Sequence, residues 1–238
     1  PLISRRALAV ASAVTHLRQD GDRGGWNSIA VAAAPLAETK LPVQQTAAVF
    51  RSSLELTPLR FAMEEARMIE TLPFDGPSIV VTGSAANRTA VTSDQFATAD
   101  ILHFATHAVS NNLVPEASGI LLASDGDTGW DFLRLLDIQS SRIAAELVVL
   151  SACETGTGKL VDGEGALSLA RAFQLAGAGG VVSSMWRVDD RATLRFMEFF
   201  YQALILDELA PAHALRFAQL ELMKSAEMRN PFYWAAFT

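Results

Sequence analysis

Short, continuous apolar runs are the feature of this chain that most constrains its fold. Most of them have no polar face, which is typical of strands that helices cover on both sides. The runs are ALAVASA (7–13), SIAVAAA (28–34), SIVVT (78–82), ILHFAT (101–106), GILLA (119–123), ELVVLSA (146–152) and GVVSSMW (180–186). We interpret each of them as a β-strand.

Segments of helical periodicity lie between these runs, at 58–71, 165–176, 191–206 and 211–225. Thr57 and Pro58 are typical of the start of the first helix. Alternating strands and helices predict an α/β fold with an open, mostly parallel sheet and helices on both faces. Functional residues of such folds collect beyond the C-terminal ends of the strands.

The composition and net charge of the chain limit the kinds of molecule that we expect it to bind. With 238 residues, 50% of them hydrophobic, the chain can form one large domain with a buried core. The net charge of −7 repels phosphate backbones and anionic lipid headgroups, so nucleic acid and membranes are poor candidate partners. A single cysteine cannot form an internal disulfide and is typical of a reducing compartment, so we expect a cytoplasmic protein.

The N-terminal stretch ALAVASAV after Arg5 and Arg6 resembles a short signal peptide. At about eight residues it is at the lower limit for such a segment and far too short to span a bilayer. The chain begins at Pro1 and not at a methionine. We therefore expect a piece of a longer protein.

Two cofactor motifs are incomplete. The segment GTGK (156–159) follows a strand, but a phosphate-binding loop requires glycine at Cys153 and a hydroxyl at Leu160. This weakens a third hypothesis, that of a nucleotide-binding domain. His103 and His107 have the spacing of a zinc motif that requires glutamate at Phe104, so we expect no metal and interpret His103 as a core residue.

Two residues, His107 and Cys153, remain as candidates for catalysis. His107 follows the strand 101–106, and Cys153 follows the strand 146–152. An imidazole beside a thiol can lower the thiol pKa, act as general base and later protonate a leaving amine. The alternative is that Cys153 is a buried core residue, as free cysteines often are. The glycine-rich segment after Cys153 favours an exposed thiol.

The local motifs extend well beyond these two residues. Cys153 lies in SACETG (151–156), 46 positions after His107, close to the separation found in caspases. With HFATHA (103–108), ELVVLSACETGTGK (146–159), DGEGALSLARAFQLAGAGGVVSSMWRVDD (162–190) and PFYWAAF (231–237), the chain resembles CHAT domains, relatives of caspases and separases often attached to tetratricopeptide repeats. We interpret 1–238 as a single caspase-like domain. Its resemblance to CHAT domains is strong over 58–238 and weak over 1–57.

The resemblance implies a cysteine endopeptidase that needs no metal or organic cofactor. Cys153 is then the nucleophile, His107 the general base, and the backbone amides of Cys153 and Ala108 the oxyanion donors. The family usually has glycine where this chain has Ala108. The alternative is therefore an inactive pseudoprotease that binds other proteins. The implied partners are a protein substrate, an upstream repeat region or a regulatory protein.

The segment Trp186 to Asp190 resembles two different substrate-binding loops. In the caspase pattern, Arg187 holds an acidic substrate side chain. In the separase pattern, Asp189 and Asp190 hold an arginine, which a carboxylate pair can accept bidentately. The second pattern fits the net negative charge better. In a third interpretation one of these acids merely caps the helix that begins near Arg191.

Overall fold

A computed structural model describes residues 25–34, 58–109, 118–124, 130–151 and 164–238, with the backbone alone for 164–168. The predicted strand 7–13 and Thr57 lie outside these residues. So does Cys153.

Five parallel strands form the central sheet. They are β1 (Ile29–Ala33), β2 (Ser78–Thr82), β3 (Ile101–Ala105), β7 (Leu147–Leu150) and β8 (Gly180–Ser183). Their spatial order is β2-β1-β3-β7-β8. All residues of β1, β3 and β7 are buried, which explains why these runs have no polar face. The prediction of strands at these five apolar runs is confirmed.

A second, smaller sheet is antiparallel and contains β4 (Ala108–Val109), β5 (Gly119–Leu122) and β6 (Asp131–Arg134). The run at 119–123 is thus a strand, but it lies outside the parallel sheet. At Gly119 the backbone of β6 leaves no room for a side chain, because an added Cβ would be 2.3 Å from the Leu133 carbonyl oxygen. β4 was not predicted because it is only two residues long. β6 was not predicted because it carries charged side chains.

Eight α-helices surround the strands in the described residues. They are α1 (Ala62–Glu70), α2 (Arg88–Val91), α3 (Asp94–Ala97), α4 (Leu135–Ser140), α5 (Glu164–Ala176), α6 (Asp190–Tyr201), α7 (Pro211–Lys224) and α8 (Pro231–Trp234). A 3₁₀ turn spans Gly83–Ala85, and a π-helical turn spans Gln202–Leu206. In this part of the chain, no helix is long and apolar enough to cross a membrane.

The predicted helices are confirmed with one correction at a start and one at an end. The first helix begins at Ala62 and not at residue 58, with Phe61 at its N-cap position. Its start is delayed because the Phe61 amide donates a hydrogen bond to Asp190 Oδ2 (2.9 Å). The third predicted helix changes from α to π geometry at Gln202.

Two apolar layers cover the sheet. One contains buried residues of α1, α6 and α7, and the other contains buried residues of α4 and α5. Residues alternate between the two along β3, since Ile101 belongs to the first layer and Leu102 to the second. The predicted fold class, an open and mostly parallel sheet with helices on both faces, is confirmed.

Candidate active site

β3 and β7 are neighbours in the parallel sheet. Their register pairs Ile101 with Leu147 and Phe104 with Leu150. Two parallel neighbours end at the same edge of a sheet, so the residues that follow them lie close together. His107 comes two positions after β3, and Ser151, directly after β7, donates its amide to the Phe104 carbonyl (3.1 Å). The adjacent strands that the dyad requires are therefore present.

His107 is almost completely buried, with 1% of its surface exposed. Its backbone is fixed, because its carbonyl accepts a hydrogen bond from the Leu121 amide (2.8 Å). His107 forms part of the wall of a cavity of about 670 Å³ at the C-terminal edge of the sheet. Residues 58–61, residues 187–191, Phe232 and Tyr233 complete this wall. His107 therefore lies next to a space that a ligand can occupy.

Asp189 and Asp190 both line this cavity but have different contacts. Asp189 is the N-cap of α6, and its Oδ1 accepts a hydrogen bond from the Ala192 amide (3.0 Å). The capping interpretation is thus confirmed for Asp189, which is nevertheless exposed to solvent. Capping occupies one carboxylate oxygen and leaves substrate binding as a prediction for the other.

Asp190 is the first residue of α6 and is partly buried. Its Oδ2 accepts a hydrogen bond from the Phe61 amide (2.9 Å), which precedes α1. Burial raises the pKa of this carboxyl, the negative charges of Glu65 and Asp189 raise it further, and the amides of residues 60 and 61 act in the opposite direction. Asp190 therefore carries a carboxylate whose charge is disfavoured by its surroundings.

Trp186 and Arg187 both follow β8 but differ in exposure. The Trp186 indole is partly buried and donates a hydrogen bond to the Phe232 carbonyl in α8 (3.0 Å). Arg187 is exposed and lines the cavity beside the two acids. Trp186 thus fixes the position of α8 at the cavity, while Arg187 remains a candidate for contact with a ligand.

Ala108 adopts ordinary strand geometry in β4. Among described non-glycine residues, positive φ is found at Glu208 alone, so the backbone at Ala108 does not require glycine. Ala108 lies opposite Ile120, and the hydrogen bond from the Leu121 amide to His107 shows that this pair is of the non-hydrogen-bonded kind. The Ala108 N–H therefore points away from β5.

His103 is buried in the core, as predicted, with none of its surface exposed. Its polar neighbours, Glu65 of α1 and Tyr201 of α6, were not predicted. A signal for Glu65 was present, because it shares a helical face with Ala62, Ala66 and Ile69, all of them buried. Within the described residues, no cluster of three or more His, Cys, Asp or Glu side chains could hold a metal ion.

Two curated relatives are similar in sequence. Tetratricopeptide repeat protein 28 of Homo sapiens is 30% identical over 266 residues, covering 98% of this chain and 10% of the relative. The same-named protein of Mus musculus is 28% identical over 213 residues, covering 76% of this chain and 8% of the relative. The chain thus spans about a tenth of the length of the curated relatives it matches.

A solved structure, the complex of Porphyromonas gingivalis RgpB pro- and mature domains, aligns with a TM-score of 0.49 and 8% identity. The alignment covers 89% of this chain and 45% of that one. The family model described as CHAT domain matches residues 1–238. The chain therefore belongs to the CHAT family.

Proposed function

We propose that this domain is a cysteine endopeptidase in which Cys153 is the nucleophile and His107 the general base. The observation that carries the proposal is the parallel pairing of β3 with β7. The two strands end at one edge of the sheet, where His107 borders a cavity large enough for substrate side chains, and Cys153 follows β7 by three positions in the sequence. Membership of the CHAT family, which the sequence motifs relate to caspases and separases, supports the same chemistry.

The proposed reaction has two steps. His107 takes the thiol proton, and the Cys153 thiolate attacks the carbonyl carbon of a peptide bond. The C–N bond breaks, His107 protonates the leaving amine, and a thioester remains. Water then attacks the thioester, with His107 again accepting a proton, and the thiol and the new carboxyl group are released. The amides of Cys153 and Ala108 would stabilise the charged oxygen in both steps.

The acids of the cavity support a preference for a basic residue before the cleaved bond. Asp189 accepts one backbone amide and Asp190 accepts the amides of residues 60 and 61, and since a carboxylate has about four acceptor sites, each acid can also accept a guanidinium hydrogen bond. Arg187, which also lines the cavity, would instead favour an acidic residue before the cleaved bond. The partial burial of Asp190 favours the basic residue, because an incoming guanidinium would compensate a carboxylate that is poorly solvated.

A binding function without cleavage is the second candidate. The curated relatives are named tetratricopeptide repeat proteins, and this chain matches only a tenth of them. In this case the cavity would bind a protein segment presented by, or together with, an upstream repeat region. For either function we propose a reducing, cytoplasmic location, because the single cysteine would remain a thiol there.

A thiol-reactive probe separates the two candidates. Because the chain has one cysteine, all labelling reports on Cys153. A catalytic dyad predicts labelling at pH 6–7 that is at least about tenfold faster than for a free cysteine of ordinary pKa. His107→Ala should remove this advantage. Equal labelling rates for the two proteins, both matching free cysteine, would favour the binding function.

A further inference from the structure

Three polar side chains meet in the apolar layer formed by α1, α6 and α7. His103 Nδ1 lies 2.9 Å from the Tyr201 hydroxyl, and its Nε2 lies 2.9 Å from Glu65 Oε1. Exposed fractions are 2% for Glu65 and 0% for both His103 and Tyr201. No step of the proposed reaction uses these groups. We call Glu65, His103 and Tyr201 the buried triad.

The two contacts of the buried triad differ in kind. Burial raises the pKa of Tyr201 well above its ordinary value, and the Glu65 charge raises it further, so the phenol keeps its proton. It can therefore donate to His103 Nδ1, which leaves a ring proton on Nε2, on the Glu65 side. The Nε2–Oε1 contact is short but not aligned as a hydrogen bond. Its attraction is mainly electrostatic.

Each member of the buried triad is also connected to the candidate active site. Glu65 donates its amide to the Phe61 carbonyl (2.9 Å), and the Phe61 amide binds Asp190. Asp190 and Tyr201 are the first and last residues of α6. His103 lies in β3, four positions before His107. The contacts form a closed circuit through α1, β3 and α6.

A buried polar group of this kind is costly unless its partners are all in place. Moving α1 or α6 along the sheet would separate Glu65 or Tyr201 from His103 and leave a buried polar atom without its contact. Apolar neighbours such as Met197 tolerate small shifts, since their packing is not directional. The buried triad thus selects one position of each helix relative to β3.

We propose that Glu65, His103 and Tyr201 are positioning residues that fix the starts of α1 and α6 relative to β3, and thereby hold Asp190 and His107 in place at the cavity. The effect on catalysis rests on the proposed function. The effect on the position of the helix starts does not, and it can be measured without any substrate.

Hydrogen exchange under native conditions tests this directly. Tyr201→Phe removes one hydroxyl, and Glu65→Gln removes one charge at nearly constant shape. Met197→Ala is the control, because Met197 is buried in α6 among apolar side chains. We expect both triad variants to speed exchange of the Phe61 amide about tenfold, roughly the effect of losing one buried hydrogen bond. The control should lower Tm without this local effect.

The same variants are then assayed with a peptide carrying arginine before the cleaved bond. We expect kcat/KM to fall about tenfold in both triad variants, an effect typical of misplaced reacting groups, and to stay unchanged in Met197→Ala. If wild type cleaves nothing, the proposed function fails while the exchange result still decides the role of the triad. Unchanged exchange at Phe61 in both triad variants, with a lowered Tm alone, would overturn the proposal.

Discussion

The Phe61 amide donates a hydrogen bond to Asp190 Oδ2 at 2.9 Å, between residues 129 positions apart. Phe61 directly precedes α1, and Asp190 begins α6. Both helices start at the C-terminal edge of the sheet, where His107 lies. One side chain therefore joins the starts of two helices and also lines the cavity, so its charge affects stability and, in the proposed function, substrate binding.

Asp190→Asn should stabilise the domain at neutral pH. The raised pKa of Asp190 means that the folded state binds its proton more tightly than the unfolded state, whose carboxyl pKa is about 3.8. Stability from this group is therefore full below the unfolded pKa and is lost as the pH rises through the folded pKa. Asparagine keeps an acceptor for the Phe61 amide without the charge.

Urea unfolding at pH 7 and pH 4 measures this effect. We expect a small increase in the free energy of unfolding for Asp190→Asn at pH 7 and a smaller difference at pH 4, where wild type is increasingly protonated. A variant that is less stable at pH 7, with the same deficit at pH 4, would show that the carboxylate charge is not disfavoured in the folded state.

A peptide library measures the preference before the cleaved bond. We expect basic residues to be preferred, and Asp190→Asn to lower this preference about tenfold, as for loss of a charged hydrogen bond. Thiol labelling at Cys153 should persist in that variant. KM for the basic peptide should rise as the pH falls, beginning at a higher pH than for an ordinary carboxylate. Preference for aspartate that Arg187→Ala abolishes would support the caspase pattern instead.

Asp189→Ala should have two separable effects. Loss of the N-cap of α6 should lower the free energy of unfolding by about 1 kcal/mol. Ser93→Ala is a matched control, because Ser93 caps α3 by accepting from the Phe96 amide (3.3 Å) and does not line the cavity. Only Asp189→Ala should also reduce the preference for arginine over alanine peptides. Equal preference in both variants would leave Asp189 a cap alone.

Gly177→Ala should be strongly destabilising. Gly177 directly follows α5 with a φ of +118°, and an added Cβ would lie 2.5 Å from the Ile143 carbonyl oxygen. Gly83 also has positive φ (+57°), but apart from its chain neighbours no atom of the described residues lies within 4 Å of such a Cβ. Gly83→Ala therefore measures the backbone cost alone, about 1 kcal/mol. We expect Gly177→Ala to cost at least about 2 kcal/mol more in thermal unfolding, since backbone must move. Similar losses at both sites would contradict the close contact.

The sequence predicted those elements whose pattern is local. β2 and β3 begin where their apolar runs begin, and α5 ends at Ala176 before a glycine with positive φ. The start of α1 was wrong because it depends on Asp190, far away in the chain. The run at 119–123 was a strand, but apolar character alone does not distinguish a parallel sheet from a separate hairpin.

The sequence identified the residues of the candidate site, but their proximity depends on which strands are neighbours in the sheet. His107 follows β3 and Cys153 follows β7 in the sequence, so the two residues can be close only if β3 and β7 are neighbours. The structure shows that these strands are neighbours. The contacts of Asp190 and the buried triad were not predictable, because a polar residue on an apolar helix face gives no indication of its partner. Glu65 and Tyr201 each meet His103 across a different helix–strand interface.

Cleavage by wild type, Cys153→Ala and His107→Ala tests the central claim most directly. The three proteins are compared in a proteome-wide cleavage screen, with circular dichroism and Tm as controls for folding. We expect wild type to cut a defined set of proteins, and each variant to lose more than about 99% of this activity, because nucleophile and base act as one unit. Cleavage by Cys153→Ala at a rate near that of wild type would contradict the cysteine peptidase mechanism.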